Sequence, residues 1–437
     1  MKSGNKSPII KTVENNSFVL KGDICWSSNP GTIHTISGGY LVCADGKSEG
    51  AFSKLPDRYN SLPVTDCSSC LIMPGLVDLH THAPQFAFRG LGMDLQLLDW
   101  LKTRAFPEEE KYANLEYARK AYSLFVEHLK NGPNTRAVIY ATIHTGSTLL
   151  LMEMLEESGL VTLAGKVNMD RNSPAGLQEE SAHYSLAATE EWLAACAYKN
   201  TAPILTPRFI PSCSDNLMKG LAALQKKFSL PVQSHLSENR QEIEWVRKLY
   251  PESRNYGSVY MDFGLFGNDV PTVMAHCVWS DEKEIALMAE RQVFIAHCPQ
   301  SNTNLSSGIA PARKFLEAGV PTGLGSDVAG GVHNSIFRVM ADAIEVSKLR
   351  HILLNSNERP LSLEEAFYLG TAGGGAFFGK CGKFEAGYDF DALVIDDSSL
   401  TTTFELSIVE RLARVIYLSD ERNIRAKYVR GKKLFSR

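Results

Sequence analysis

Eight apolar runs, each ending in polar residues, recur through the middle of the chain and limit its fold more than any other feature. They are "CLIMPGLVDLHTH", "RAVIYATIHTG", "LVTLAGKVNMD", "APILTPRFI", "LPVQSHLSEN", "PTVMAHCVW", "QVFIAHCPQSN" and "VPTGLGSDVAGG". Amphipathic stretches separate them, the pattern of parallel strands crossed by helices. Eight such units over ~300 residues fit an α/β chain built as a (β/α)₈ TIM-like barrel, here over residues 74–380. The stretch "PEEEKYANLEYARKAYSLFVEHLKNG" has helical period, acidic residues in its first turn and a glycine after its last, which predicts one helix.

The two ends read differently. Residues 1–73 are short strand-like segments with turn signals such as "SGG" and "ADG", and "DFDALVID" and "IRAKYVRGKKLF" near the other end read the same way. Residues 1–73 and 381–437 are expected to combine into one small β-sandwich domain beside the barrel.

Composition narrows the function class. With 44% hydrophobic and 22% charged residues the chain is globular, and a formal net charge of -4 gives no cationic surface for nucleic acid. "MKSGNKSPIIKTVENNSF" lacks the apolar core of a signal peptide and no apolar run approaches the ~20 residues of a membrane span, so a cytoplasmic protein without membrane attachment is expected. Nine cysteines, an odd number, suit reduced thiols. The "CSSC" of Cys67 to Cys70 has no second CxxC beside it and reads as structural rather than as a zinc knuckle or redox pair.

Candidate chemistry lies at the C-terminal ends of the runs, where barrel active sites form. His80 and His82 stand two apart, so in a strand both imidazoles face one side. His235, His276 and His297 end runs five, six and seven, and Asp327 ends run eight, which in a closed barrel lies beside run one. A lone histidine at a strand end is commonly just hydrogen-bonded, but agreement among several strand ends points to a metal held by His80, His82, His235 and Asp327. His276 is expected to orient water or substrate, and His144 and His297 to hold loops. Glu238 stands three positions after His235, at the turn into a helix begun by Asn239 and Glu242. It suits a general acid/base above the metal, the alternative being a helix-start carboxylate.

"PGLVDLHTHAPQF", "SHLSEN", "AHCPQSN" and "GLGSDVAGG" resemble the amidohydrolase superfamily, metal-dependent hydrolases on such a barrel, over almost the whole chain. Within it, "HAPQF", "DLQLLDWL", "FPEE", "GKVNMD", "TPRF" and "SCS" resemble the guanine deaminase family. The resemblance implies one Zn²⁺ per chain, with Fe²⁺ as the other candidate, on His80, His82, His235 and Asp327. It implies hydrolysis of guanine, a small purine base, to xanthine and ammonia, with Glu238, Asp327 and His276 catalytic, in a homodimer. The substrate contacts it implies include the ligand residues His82, His235 and Asp327 together with Glu238. Gln85 and Arg208 suit the purine edge, since arginine offers only donors and favours a carbonyl over an amino group, and Phe209 suits stacking on the ring. The chain departs from the family pattern at Cys277, where glycine is common, which leaves the packing behind His276 open.

Three alternatives stand beside this. One is a deaminase of another aminated heterocycle, such as cytosine, adenosine or a triazine. The second is a binuclear cyclic-amide hydrolase with Lys166 carbamylated between two metals, and the third a non-catalytic barrel that binds partners. The cytidine-deaminase fold is excluded, because its H-x-E and P-C-x-x-C signature is absent.

Overall fold

The computed structural model describes residues 16–437 apart from Asp269, so the reading of the first fifteen residues lies outside the described part. Both ends of the chain contribute to one seven-stranded sheet. Its strand order is Lys432–Ser436, Ile424–Val429, Ala392–Ile395, Val64–Pro74, Phe18–Asn29, Thr32–Ala44 and Lys47–Phe52. The expected "ADG" turn joins the last two: Asp45 (φ 49°) and Gly46 (φ 78°) both take the left-handed conformation that matches strand twist in a tight hairpin. "SGG" does not turn the chain. It lies inside strand Thr32–Ala44 opposite a register shift between Gly22 and Ile24, where Ser37 Oγ and Gly38 N both donate to Asp23 Oδ1 at 2.9 Å. A bulge absorbs the glycine's freedom there.

Each of the eight runs contains a strand. Leu76–His82, Asn134–Tyr140, Val161–Gly165 and Thr201–Pro203 pair in parallel, as do Val232–Leu236, Thr272–His276, Phe294–His297 and Thr322–Leu324. A parallel bridge between Leu205 and Val232 links the two sets. After the eighth strand, Asp327 N donates to His80 O (2.8 Å) and Val328 O accepts from His82 N (3.2 Å), returning the last run to the first.

The predicted long helix is broken. Helix Leu115–Asn131 begins at Asn114, whose extended backbone (φ -86°, ψ 112°) and side-chain bonds to Glu116 N and Tyr117 N make it the N-cap. Gly132 ends it as expected. Residues Phe106–Glu109 form a separate one-turn helix that carries Glu108 and Glu109 in its first turn, as expected, but it does not continue into the long one. Helix Leu115–Asn131 buries Ala118, Tyr122, Phe125 and Leu129, one face at helical spacing. Full burial of a phenylalanine or leucine contributes ~1.5–3 kcal/mol. Phe125 meets Phe86 edge-on at 5.7 Å between ring centroids, so this helix anchors the segment that follows His82.

Candidate active site

His80 and His82 are buried on strand Leu76–His82, their rings 4.9 Å apart between centroids. Asp78 on the same face ties this strand to the last run: its carboxylate accepts from His80 N (3.2 Å), Ser326 N (3.0 Å) and Ser326 Oγ (2.6 Å). That brings Asp327 Oδ1 within 3.1 Å of His80 Nε2 and 3.4 Å of His82 Nε2. His235 and His276 end their neighbouring strands, and His80, His235 and His276 also present nitrogens within 4.8 Å of one another. The histidines and aspartate expected at the centre are therefore together, with His276 closer to them than anticipated.

The donor set has the chemistry of a cation site. His235 Nδ1 lies 2.6 Å from the carbonyl oxygen of Arg208, which only accepts, so Nδ1 carries the proton and Nε2 is left with its lone pair. That lone pair lies 3.3 Å from His82 Nε2. Burial, reinforced by the His80 imidazole, holds His82 and His235 well below the ordinary histidine range, so both are neutral. His80 Nε2 is buried and makes no well-aligned hydrogen bond, although Asp327 Oδ1 lies 3.1 Å away. Neutral nitrogens converging beside a carboxylate fit a divalent ion, and buried polar atoms otherwise find partners. Burial would push the Asp327 carboxyl up, but the adjoining His80, His276 and His82 keep it below the carboxylate range.

Two consecutive residues missed at the sequence level orient this centre. Ser301 Oγ donates to Asp327 Oδ2 (2.5 Å), and Asn302 Oδ1 lies 2.9 Å from His276 Nδ1. Their only signal was the quoted "AHCPQSN". His276 Nε2 thereby faces Glu238 Oε2 at 3.5 Å. Burial raises the Glu238 pKa to about 7, and Ser307 Oγ donates to its Oε1 (3.1 Å). Burial disfavours charge on His276, but Glu238 and Asp327 more than offset it, raising its pKa. The helix after Glu238 is begun by a capping box of Asn239 and Glu242, so Glu238 has no capping task.

Ser237 (φ 49°), His276 (φ 74°), Cys277 (φ 50°) and Asp327 (φ 43°) all hold left-handed backbone at the strand ends. Such strain in non-glycine residues costs ~1–3 kcal/mol each and gathers at functional sites. Cys277 is a buried cysteine in this glycine-like conformation, and its amide donates to Leu236 O at 2.9 Å.

A cavity opens over the centre, lined by His82, Gln85, Arg208, Phe209, His235, Glu238, His276 and Asp327. Leu97, Leu98, Trp100 and Leu101, from the quoted "DLQLLDWL", form its apolar wall. Behind Gln85 and Arg208 stands Glu109, only 1% exposed, which was read as part of a helix start. His144 stands at the N-cap position of helix Thr145–Ser158 without a side-chain capping bond, and His297 ends its strand; neither lines the cavity. Cys67 and Cys70 are buried free thiols, and no potential metal-holding group among the described residues includes them. Lys166 is buried, its Nζ paired with Glu179 Oε1 at 2.5 Å.

Residues 71–434 match the amidohydrolase family. A guanine deaminase from Dictyostelium discoideum is 41% identical over 381 residues, 85% of this chain and 84% of that one. The Escherichia coli guanine deaminase is 34% identical over 420 residues, 92% of each. A solved guanine deaminase from C. acetobutylicum, with guanine bound in its active site, superposes with a TM-score of 0.93 at 45% identity, covering 96% of this chain and all of that one. By sequence and by structure, the chain belongs to the amidohydrolase family and stands among its guanine deaminases.

Proposed function

We propose that the chain hydrolyses guanine to xanthine and ammonia, using one Zn²⁺ held by His80, His82, His235 and Asp327. The architecture that goes with this reading is a (β/α)₈ barrel over residues 74–380 with a terminal β domain from both ends. One observation carries it: His82, Glu238, Asp327, Gln85 and Arg208 line one cavity, so the metal donors, a proton carrier and purine-reading groups meet at a single ligand. A similar protein holds guanine at its active site.

When bound, the ion supplies a water activated for attack at neutral pH. Asp327 would accept the first of the two protons that this water gives up. Glu238, with a pKa near 7, gives its proton to the ring nitrogen beside the amine-bearing carbon, takes the second water proton from the oxygen now on that carbon and passes it to the leaving amine, and the proton held by Asp327 then restores it. His276, whose pKa Glu238 and Asp327 raise against burial, donates to the oxygen arriving at that carbon. The carbon–oxygen bond replaces the carbon–nitrogen bond, and ammonia leaves. Arg208 and Gln85 hold the opposite edge, and Phe209 covers the ring. The binuclear alternative loses support because Lys166 is already paired with Glu179.

The test is product analysis with guanine, adenine and cytosine. Equimolar xanthine and ammonia from guanine, with far slower release from the others, is expected. No ammonia from guanine overturns the reading.

A further inference from the structure

The purine-reading wall is itself fixed by a residue that does not line the cavity. Glu109 Oε2 accepts from Arg208 Nη1 (2.5 Å), and its Oε1 accepts from Arg208 Nη2 (3.0 Å) and from Gln85 Nε2 (2.8 Å). On its other side, Gln85 Oε1 accepts from Ala329 N (3.1 Å). The Phe106 ring lies 5.1 Å from the Arg208 guanidinium. We propose that Glu109 is a positioning residue that sets the hydrogen-bonding polarity of the Gln85–Arg208 wall and so selects a purine carrying a carbonyl on the edge that faces it.

A glutamine amide turned by half a revolution swaps a donor for an acceptor at nearly the same shape. Here the turn is forbidden: it would set Gln85 Oε1 against the Glu109 carboxylate and its amine against the Ala329 N–H. The acceptor-only carboxylate therefore leaves one Gln85 N–H unclaimed by itself. It also takes two of the five guanidinium N–H donors and leaves three. The wall is rich in donors, which suits the adjacent O6 and N7 acceptors of guanine. Pairing Arg208 with a buried carboxylate also removes the cost of an isolated cation beside a neutral base. A base without the carbonyl leaves those donors unmatched.

This inference rests on the guanine reading above, and one experiment separates the two. Steady-state kinetics on guanine, with 2-aminopurine as competitive inhibitor because it keeps the amine and lacks the carbonyl, are compared for the wild type and Glu109→Gln, each with bound metal measured. In Glu109→Gln the KM for guanine is expected to rise at least about tenfold, while kcat and the 2-aminopurine inhibition constant each stay within about threefold. If the two constants rise together, or if only thermal stability falls, Glu109 is a packing residue and the proposal is overturned. Should Glu109→Gln fail to yield folded, metal-loaded protein, Glu109→Asp decides. That variant withdraws the carboxylate by one methylene, and an unchanged ratio of the two constants overturns the proposal, whereas a selective rise in guanine KM supports it. Wild-type protein without activity on guanine overturns the function reading and this inference with it; an active wild type with an unchanged ratio in the variant overturns this inference alone.

Discussion

Two buried clusters of charged and titratable side chains lie toward opposite ends of the same parallel strands, and they are completed in opposite ways. Near the start of strand Asn134–Tyr140, Arg136 sends Nε to Asp391 Oδ2 and Nη2 to Asp389 Oδ2, each at 2.6 Å, across more than 250 residues of sequence. Lys47 and Arg430 also reach Asp389, and Arg430 N donates to Asp391 Oδ1 (2.8 Å). The acids there have their cations within the chain. At the other end, His80, His82 and Asp327, and likewise His80, His235 and His276, bring ligand atoms within 4.8 Å of one another, and His80 Nε2 makes no well-aligned hydrogen bond. The difference separates a structural cluster from a site: buried acids that find their cations within the chain join the terminal sheet to the strands, whereas an excess of electron-pair donors suits a cation from outside.

The largest test of that contrast is His82→Ala. Removing one donor is expected to release the ion and lower kcat by more than about 10⁴, beyond the loss of a single acid/base group. Full metal content in the purified variant would take His82 out of the ligand set. Next comes Glu238→Gln, which keeps shape and hydrogen bonding but cannot carry the proton. Turnover should fall by ~10² to 10⁴ with metal and guanine binding retained, measured by single-turnover kinetics alongside metal analysis. Near-normal turnover would remove Glu238 from the proton path.

The internally paired cluster should respond in stability. Arg136→Met leaves Asp389 and Asp391 without their buried cation and is expected to cost about 3–5 kcal/mol in urea unfolding, while kcat per folded molecule holds. A selective loss of kcat would mean the two clusters are not separate in function. The smallest effect is acid-dependent. Burial opposes ionisation of Asp389, but Lys47 and Arg136 outweigh it and lower its pKa to about 2. A depressed carboxyl stabilises the fold above its unfolded pKa of about 4, and that contribution disappears as pH falls from about 4 to 2. Solvent screening of this partly exposed group leaves a contribution on the order of 1 kcal/mol. Unfolding curves of wild type and Asp389→Asn should converge over that interval.

The two clusters were unequally legible in the sequence. The histidines could be read because a strand's period of two and the order of the runs bring His80, His82, His235 and Asp327 to one end. Arg136 and its aspartates could not, since nothing local marks a partner more than 250 residues away. Glu109 was only half legible for a different reason: acidic residues after a proline mark a helix start, which it is, but nothing local marks Arg208, 99 residues on, as its partner. The left-handed backbone at His276, Cys277 and Asp327 has no single-residue signature, because none of the three is glycine.

The most direct measurement is a metal titration of the whole chain. Protein stripped with a chelator is supplied with Zn²⁺ in steps, and bound ion and ammonia release from guanine are followed in the same samples. Both are expected to rise together from near zero and level off at one equivalent per chain. Full activity in the stripped protein, or a plateau only at two equivalents, would contradict a single ion completing the His80–His82–His235–Asp327 cluster.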